Sequence, residues 1–339
     1  MMATMNLSNS SNASVPTASG PHKEDEDYAP IFRPQAEVPP IIIAILIIAL
    51  NSWVIVLVVK RQNLQTVTNF ILASLAMSDL CTGVISIPLY LSCNITRITG
   101  FCTADMIVII FTSVSTLLHI LVMTIDRYIC IIFALHYENW VTKRRGWFVI
   151  ALIWFVSVFM ALIQLAWIDL TQDAQDDYDM ESGRNFVIYD IFRLVAFIGI
   201  PVVFMAFSYA HIFYEVLRQT KNIQKYNTPG WQEKQRCRTR EWKVAALFLF
   251  MLLVFLVCWV PFSLLRVEAI LHAEFSQLNL SDVAIYLLYS LRMCNSFINP
   301  CLYILGKPDF RKATCQRRKI SKQVNSKLSR ASIMKSSLV

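Results

Sequence analysis

Charged residues are scarce in this chain: 16% of its 339 residues, against 56% hydrophobic and a mean hydropathy of +0.50. So few polar side chains cannot cover a water-soluble fold of this length, which excludes a soluble globular protein. Internal repeats are lacking, and so are Walker, nucleophile-elbow and metal-ligand constellations, so nothing points to an enzyme. The first residues lack a basic stretch followed by a cleavable apolar core. No signal peptide is therefore expected, and the first apolar run is expected to act as an uncleaved anchor. The net charge of +8 is concentrated in a few connections and reads as attraction to anionic lipid rather than to nucleic acid.

What the chain does have is seven apolar runs, at 38–61, 66–92, 103–133, 146–168, 187–217, 243–271 and 282–305, each long enough to cross about 30 Å of hydrocarbon. Lys and Arg gather in alternate connections: Lys60 and Arg61; Lys143, Arg144 and Arg145; the stretch from Arg218 to Lys243; and the tail from Arg311. The positive-inside rule makes these cytoplasmic. Acidic residues occupy the other side, at Glu24 to Asp27 and between Asp169 and Glu181, so the N-terminus is expected outside. Glycosylation sequons at Asn6, Asn9, Asn12, Asn94 and Asn279 fall on that same side. The expected organisation is an extracellular disordered tail over 1–37, an all-α seven-transmembrane bundle over 38–305, a short amphipathic eighth helix over 306–317 and a disordered cytoplasmic tail over 318–339.

Three motifs stand in order on separate runs: Asp126-Arg127-Tyr128, Cys258-Trp259-Val260-Pro261, and Asn295-Ser296-Phe297-Ile298-Asn299-Pro300-Cys301-Leu302-Tyr303. With Trp154 marking the fourth run, the chain resembles a rhodopsin-like (class A) G-protein-coupled receptor over about residues 38–317. The resemblance implies a plasma-membrane receptor that binds an extracellular ligand and activates a heterotrimeric G protein by shifting its own conformational equilibrium, with arrestin as a further partner.

Residue by residue, the resemblance implies a switch of Asp126, Arg127, Tyr128, Glu241, Tyr209 and Tyr303, with Leu135 inserted into the G protein. A guanidinium at that depth pairs bidentately with a carboxylate, here Asp126 or Glu241. Leu117, Pro201, Phe255, Trp259, Pro261, Asn299 and Pro300 form the implied activation relay; the prolines each remove a helix hydrogen bond and read as hinges. Asp79, Asn51, Ser115, Thr116, Asn295, Ser296 and Asn299 match the family's site for an allosteric sodium ion, the sole cofactor expected. A carboxylate among neutral oxygens suits such a cation, although a hydrogen-bond network without an ion is the alternative. His119 reads as a packing residue.

The ligand is less legible. Asp105, Ile109, Thr112 and Thr116 share one face of the third run. The position that holds the amine-binding aspartate in aminergic receptors is Ile109 here, which disfavours a classical monoamine. Arg193, Arg266 and Arg292 lie in the outer halves of the last three runs and suit a carboxylate or phosphate, so a small acidic or lipid-like ligand is one reading. Internal pairs, Arg292 with Asp105 or Arg266 with Glu268, are the other. Tyr90, Ile110, Ser113, Phe197, Phe262 and Tyr289 complete the expected pocket. The acidic outer loop leaves a cationic peptide or polyamine as a lesser alternative.

The family's usual outer disulfide cannot form, because no cysteine lies between Trp167 and Phe192 to meet Cys102; Cys93 is the candidate substitute. Beyond the bundle, Phe310 is expected to face lipid, Cys315 to accept a palmitoyl group, and Ser337-Leu338-Val339 to fit a PDZ domain. No lysine in the seventh run could hold retinal, and Met293 stands near that place. The rivals are a receptor-like protein signalling without ligand or through partners, and a transporter or channel, which would show repeats and broken helices.

Overall fold

A computed structural model describes residues 34–166, 180–226, 231–271 and 282–313, and among these all the regular structure is helical. Asn6, Asn9, Asn12, Asn279, Cys315 and the C-terminal tripeptide lie outside the described residues. Seven long helices make the bundle: α1 (Pro34–Lys60), α2 (Val67–Thr96), α3 (Thr99–Ile132), α4 (Lys143–Ala166), α5 (Met180–Arg193, continued through Leu194–Gly199 and Ile200–Tyr226), α6 (Trp231–Leu271) and α7 (Asp282–Gly306). The first six contain stretches long and apolar enough to cross a membrane. α7 is not among them, because Arg292, Asn295, Ser296 and Asn299 dilute its hydropathy.

α3 is the axis of the bundle. It packs against α2, α4, α5 and α6, while α7 closes the ring between α1, α2 and α6. Two thirds of its most apolar window is buried (67%), against 33% for α1 and α4, so those helices present a wide apolar face outward to lipid. The same central place explains why α3 carries so many buried polar groups, Thr112, Ser113, Ser115, Thr116, His119 and Thr124 among them.

Local chemistry sets the helix ends and irregularities. Thr66 and Thr142 cap α2 and α4, their hydroxyls accepting from the amides of Asn69 and Arg145. π-helical turns interrupt α2 at Thr82–Ser86 and α5 at Leu194–Gly199. Each contains the carbonyl that a following proline, Pro88 or Pro201, would clash with, and the widened turn relieves that clash. α2 ends at Arg97, whose φ of 59° is left-handed and turns the chain sharply into α3. A Cys93–Cys102 disulfide bridges this hairpin.

Several expectations need correction. α5 and α6 run past their apolar stretches, to Tyr226 and from Trp231. Asn94 sits in the last turn of α2 with its Nδ2, the atom a glycan would use, buried; the turn at Arg97 comes three residues too late to expose it. After Gly306 a helical turn follows at 308–313, but Phe310 is fully buried rather than facing lipid, its ring tilted against that of Tyr303 with centroids 5.8 Å apart. Lys307 is buried beside it and donates to Asn69 Oδ1 of α2. Burial, with the nearby Arg127 charge adding to it, lowers the Lys307 ammonium to about 8.

Candidate functional site

At one end of the bundle Arg127 joins three helices. Its Nη1 donates to Glu241 Oε2 of α6 at 2.5 Å, its Nη2 to Asp126 Oδ2 at 2.6 Å and to Thr68 Oγ1 of α2 at 3.1 Å, and its Nε to Asp126 Oδ2 at 3.1 Å. Thr68 also donates to Asp126 Oδ2, and the Tyr137 hydroxyl of the single-turn helix Tyr137–Trp140 donates to Asp126 Oδ1 at 2.8 Å. Burial, with the Asp126 charge behind it, raises the Tyr137 phenol, so that hydroxyl stays a donor. Both of the carboxylates weighed for Arg127 are thus used at once. Thr68 and Tyr137 escaped sequence reasoning because neither lies in the motif.

The other switch residues are held apart from this lock. Tyr128 faces His211 of α5, oxygen to Nδ1 at 2.9 Å. Tyr209 shares a hydrogen bond with Thr124 at 2.9 Å. The Tyr303 hydroxyl is buried without a partner, and Leu135 is 93% exposed on the connection after α3.

Midway along the bundle Asp79 is fully buried. Its Oδ2 accepts from Asn299 Nδ2 at 3.1 Å, while its Oδ1 has no partner. Asn51 donates to the Ser296 carbonyl at 3.0 Å, and the Ser296 hydroxyl to Thr82 at 3.2 Å. The side-chain oxygens of Asn51, Asn295 and Asn299 are also buried and unpartnered. Four buried oxygens, one a carboxylate, are thus left with no hydrogen to accept. Thr116 is buried, but Ser115 is directed elsewhere: its hydroxyl lies 3.4 Å from His119 Nδ1. His119 is more than packing. Its Nδ1 must carry the proton, since it donates to the Ser115 carbonyl at 2.7 Å, and its Nε2 then accepts from Ser74, which in turn accepts from Trp154 Nε1. Position 119 gave no signal of this, because Ser74, which links it to Trp154 of α4, comes from α2.

Toward the other end, Phe255, Trp259 and Phe262 follow one another along α6, with ring centroids 5.9 and 6.3 Å apart. Phe262 meets Tyr289 edge-on at 5.1 Å, and Tyr289 stacks on Tyr90 at 5.4 Å. Leu117 and Ile109 pack in the same core as this aromatic column. Arg292 is embedded in it at 1% exposure, with its guanidinium carbon over the rings of Phe262, Tyr289 and Trp259 at 5.1, 5.6 and 5.7 Å. Its Nε and Nη2 have no hydrogen-bond partner. The alternative internal pair with Asp105 is not formed: Asp105 accepts instead from Ser86 Oγ at 2.6 Å. Ile110 and Phe197 pack away from Arg292, in a cluster with Met160 and Tyr189 between α3, α4 and α5. Ser113 is buried on α3.

Arg193 and Arg266 are not free to meet a ligand. Both converge on Asp190, whose Oδ2 accepts from Arg266 Nε at 2.7 Å and whose Oδ1 accepts from Arg193 Nε at 3.3 Å. Asp190 is fully buried; its place three residues before Arg193 was the available sequence signal. The Glu268 side chain, the alternative partner, lies outside the described residues. Since the Arg193 pair lies within α5 and the Arg266 pair ties α5 to α6, Arg266→Gln is expected to raise ligand-free signalling about fivefold and Arg193→Gln less than twofold, for a charge-assisted bond worth about 1 kcal/mol between states. G-protein activation at matched surface levels measures this. Equal effects would remove the tether.

This arrangement is that of a receptor bundle, with a polar lock at one end, a buried polar centre, and an aromatic and cationic half at the other. Residues 50–303 match the family described as 7 transmembrane receptor (rhodopsin family), and the chain belongs to that family. It is similar to adenosine receptor A2a of Canis lupus familiaris and of Homo sapiens, each 30% identical over 292 residues covering 79% of this chain and 68% of the relative. It is also similar to adenosine receptor A3 of Canis lupus familiaris, 28% identical over 275 residues covering 78% of this chain and 84% of the relative. The protein is a G-protein-coupled receptor, a multi-pass membrane protein and not an enzyme.

Proposed function

We propose that this receptor sits in the plasma membrane with its N-terminus outside, binds a small anionic molecule in the half of the bundle that holds Arg292, and transmits that binding to a heterotrimeric G protein. The observation that carries the ligand reading is the buried guanidinium of Arg292, two of whose donors are unpaired. A buried donor without an acceptor is costly, and an arriving anion removes the cost. Coupling runs along α6: the ligand presses on Trp259 beside Arg292, α6 pivots near Pro261, and Glu241 leaves Arg127, which then faces the transducer. A sodium ion held by Asp79, Asn51, Asn295 and Asn299 is proposed to favour the resting arrangement.

The relatives named as adenosine receptors favour a second reading, a neutral nucleoside ligand. It brings no negative charge to the Nε and Nη2 edge of Arg292, which is unpaired. The two separate in one assay: G-protein activation by full-length receptor in cells, with organic acids, lipid-like acids and adenosine as probes. The anionic reading expects activation by acids that falls at least tenfold in Arg292→Gln. Activation by adenosine alone, unchanged in that variant, would overturn it.

A further inference from the structure

The unpaired nitrogens of Arg292 are Nε and Nη2. These two lie on one edge of the guanidinium plane, the edge that offers parallel N–H groups to both oxygens of a single carboxylate. The remainder of the group is crowded by Trp259, Phe262 and Tyr289, whose ring centroids stand 5.1 to 5.7 Å from its central carbon. A ligand group must therefore approach side-on, through one two-pronged contact.

Charge narrows the choice further. Among the described residues of the bundle, the buried charges in this half are the guanidinium groups of Arg193, Arg266 and Arg292 and the carboxylates of Glu37, Asp105 and Asp190. Asp190 is shared by Arg193 and Arg266, and Asp105 is bonded by Ser86 rather than by an arginine. These charges sum to zero, so a monoanion adds one buried negative charge beside the unpaired Arg292 edge, whereas a dianionic phosphate monoester adds two, which a site shielded from water penalises more heavily.

We infer that Arg292 is the anchor for a single carboxylate, and that the ligand is a monocarboxylic acid whose apolar or aromatic body lies against Tyr90, Tyr289, Phe262 and Trp259. This rests on the reading that the ligand enters the Arg292 half of the bundle. The body meets an apolar aromatic cluster in which Tyr90 stacks on Tyr289 at 5.4 Å and Phe262 meets Tyr289 edge-on. Because the anchoring guanidinium also lies over Trp259, the carboxylate acts on the relay without an intermediary.

The test uses the full-length receptor in lipid nanodiscs and three matched probe sets. These are aryl and medium-chain monocarboxylates (benzoate, indole-3-acetate, octanoate), the corresponding phosphate monoesters, and the corresponding neutral amides. Thermal stabilisation and G-protein nucleotide exchange are read for each. At least one carboxylate is expected to act at a tenfold lower concentration than both its phosphate and its amide, and Arg292→Lys, which keeps the charge but loses the side-on fork, is expected to weaken it at least tenfold. Wild-type comparisons across the sets decide the matter even if the variant folds poorly. Phosphates equal to or better than carboxylates would overturn the single-carboxylate inference and leave the anionic reading standing. Amides equal to both would overturn the two together, and so would silence from every carboxylate at millimolar concentration.

Discussion

Glu241→Gln is expected to raise ligand-free G-protein activation about fivefold, and Arg127→Ala to abolish it at matched surface expression. The first effect follows from the contact between Arg127 Nη1 and Glu241 Oε2, which ties α3 to α6. Hydrogen bonds between charged groups contribute about 1.5–3 kcal/mol. Glu241 is 29% exposed, so solvent screening reduces this to about 1 kcal/mol, or roughly a fivefold shift between closed and open states. The gain is bounded because Arg127 keeps Asp126 and Thr68. The second effect has a different origin: without the guanidinium nothing remains at that position to meet the transducer. Asp126 retains the Thr68 and Tyr137 hydroxyls, so its carboxylate stays bonded and the variant is expected at the surface. Nucleotide exchange on representatives of the main Gα classes measures both. Normal signalling by Arg127→Ala, or unchanged basal activity in Glu241→Gln, would defeat the assigned switch.

Asp79→Asn is expected to abolish any response of thermal stability to sodium, with potassium as the control cation. In the wild type, an ion that binds the resting fold stabilises it by mass action, about 1.4 kcal/mol at roughly ten times its dissociation constant. The measurable shift in melting temperature is then a few degrees for a protein of this size. The cause is local: Asp79 Oδ1 and the side-chain oxygens of Asn51, Asn295 and Asn299 are buried with no hydrogen to accept. The amide of the variant removes the charge that holds a cation there and leaves the Asn299 contact in place. Sodium dependence that survives in Asp79→Asn would place the ion elsewhere. A wild type indifferent to sodium would reduce the cluster to a hydrogen-bond network.

Much of this was readable along the chain. Hydrophobic run length and basic-residue placement marked seven spans, and the aspartate, tryptophan and proline motifs placed Arg127, Trp259 and Asn299 on their helices, because each motif depends on residues a fixed number of positions apart on one helix. Cys93 and Cys102 were legible as candidates since they flank a short connection.

Contacts between helices were not. Arg193 and Arg266 looked like ligand anchors until the fold brought Asp190 between them, and Arg292 looked equally able to pair with Asp105, which Ser86 holds instead. His119 acquired its hydrogen bonds from Ser74, and Phe310 turned inward onto Tyr303. By itself the sequence determined how many helices there are and which of them carry groups that cannot remain unsatisfied in lipid. Tertiary structure alone decided which of those groups satisfy one another, and so left the Arg292 edge unpaired. The reason is physical: helix periodicity is a local property of the chain, whereas the partner of a buried charge is set by packing between residues far apart in sequence, 76 positions for Arg266 with Asp190 and 114 for Arg127 with Glu241.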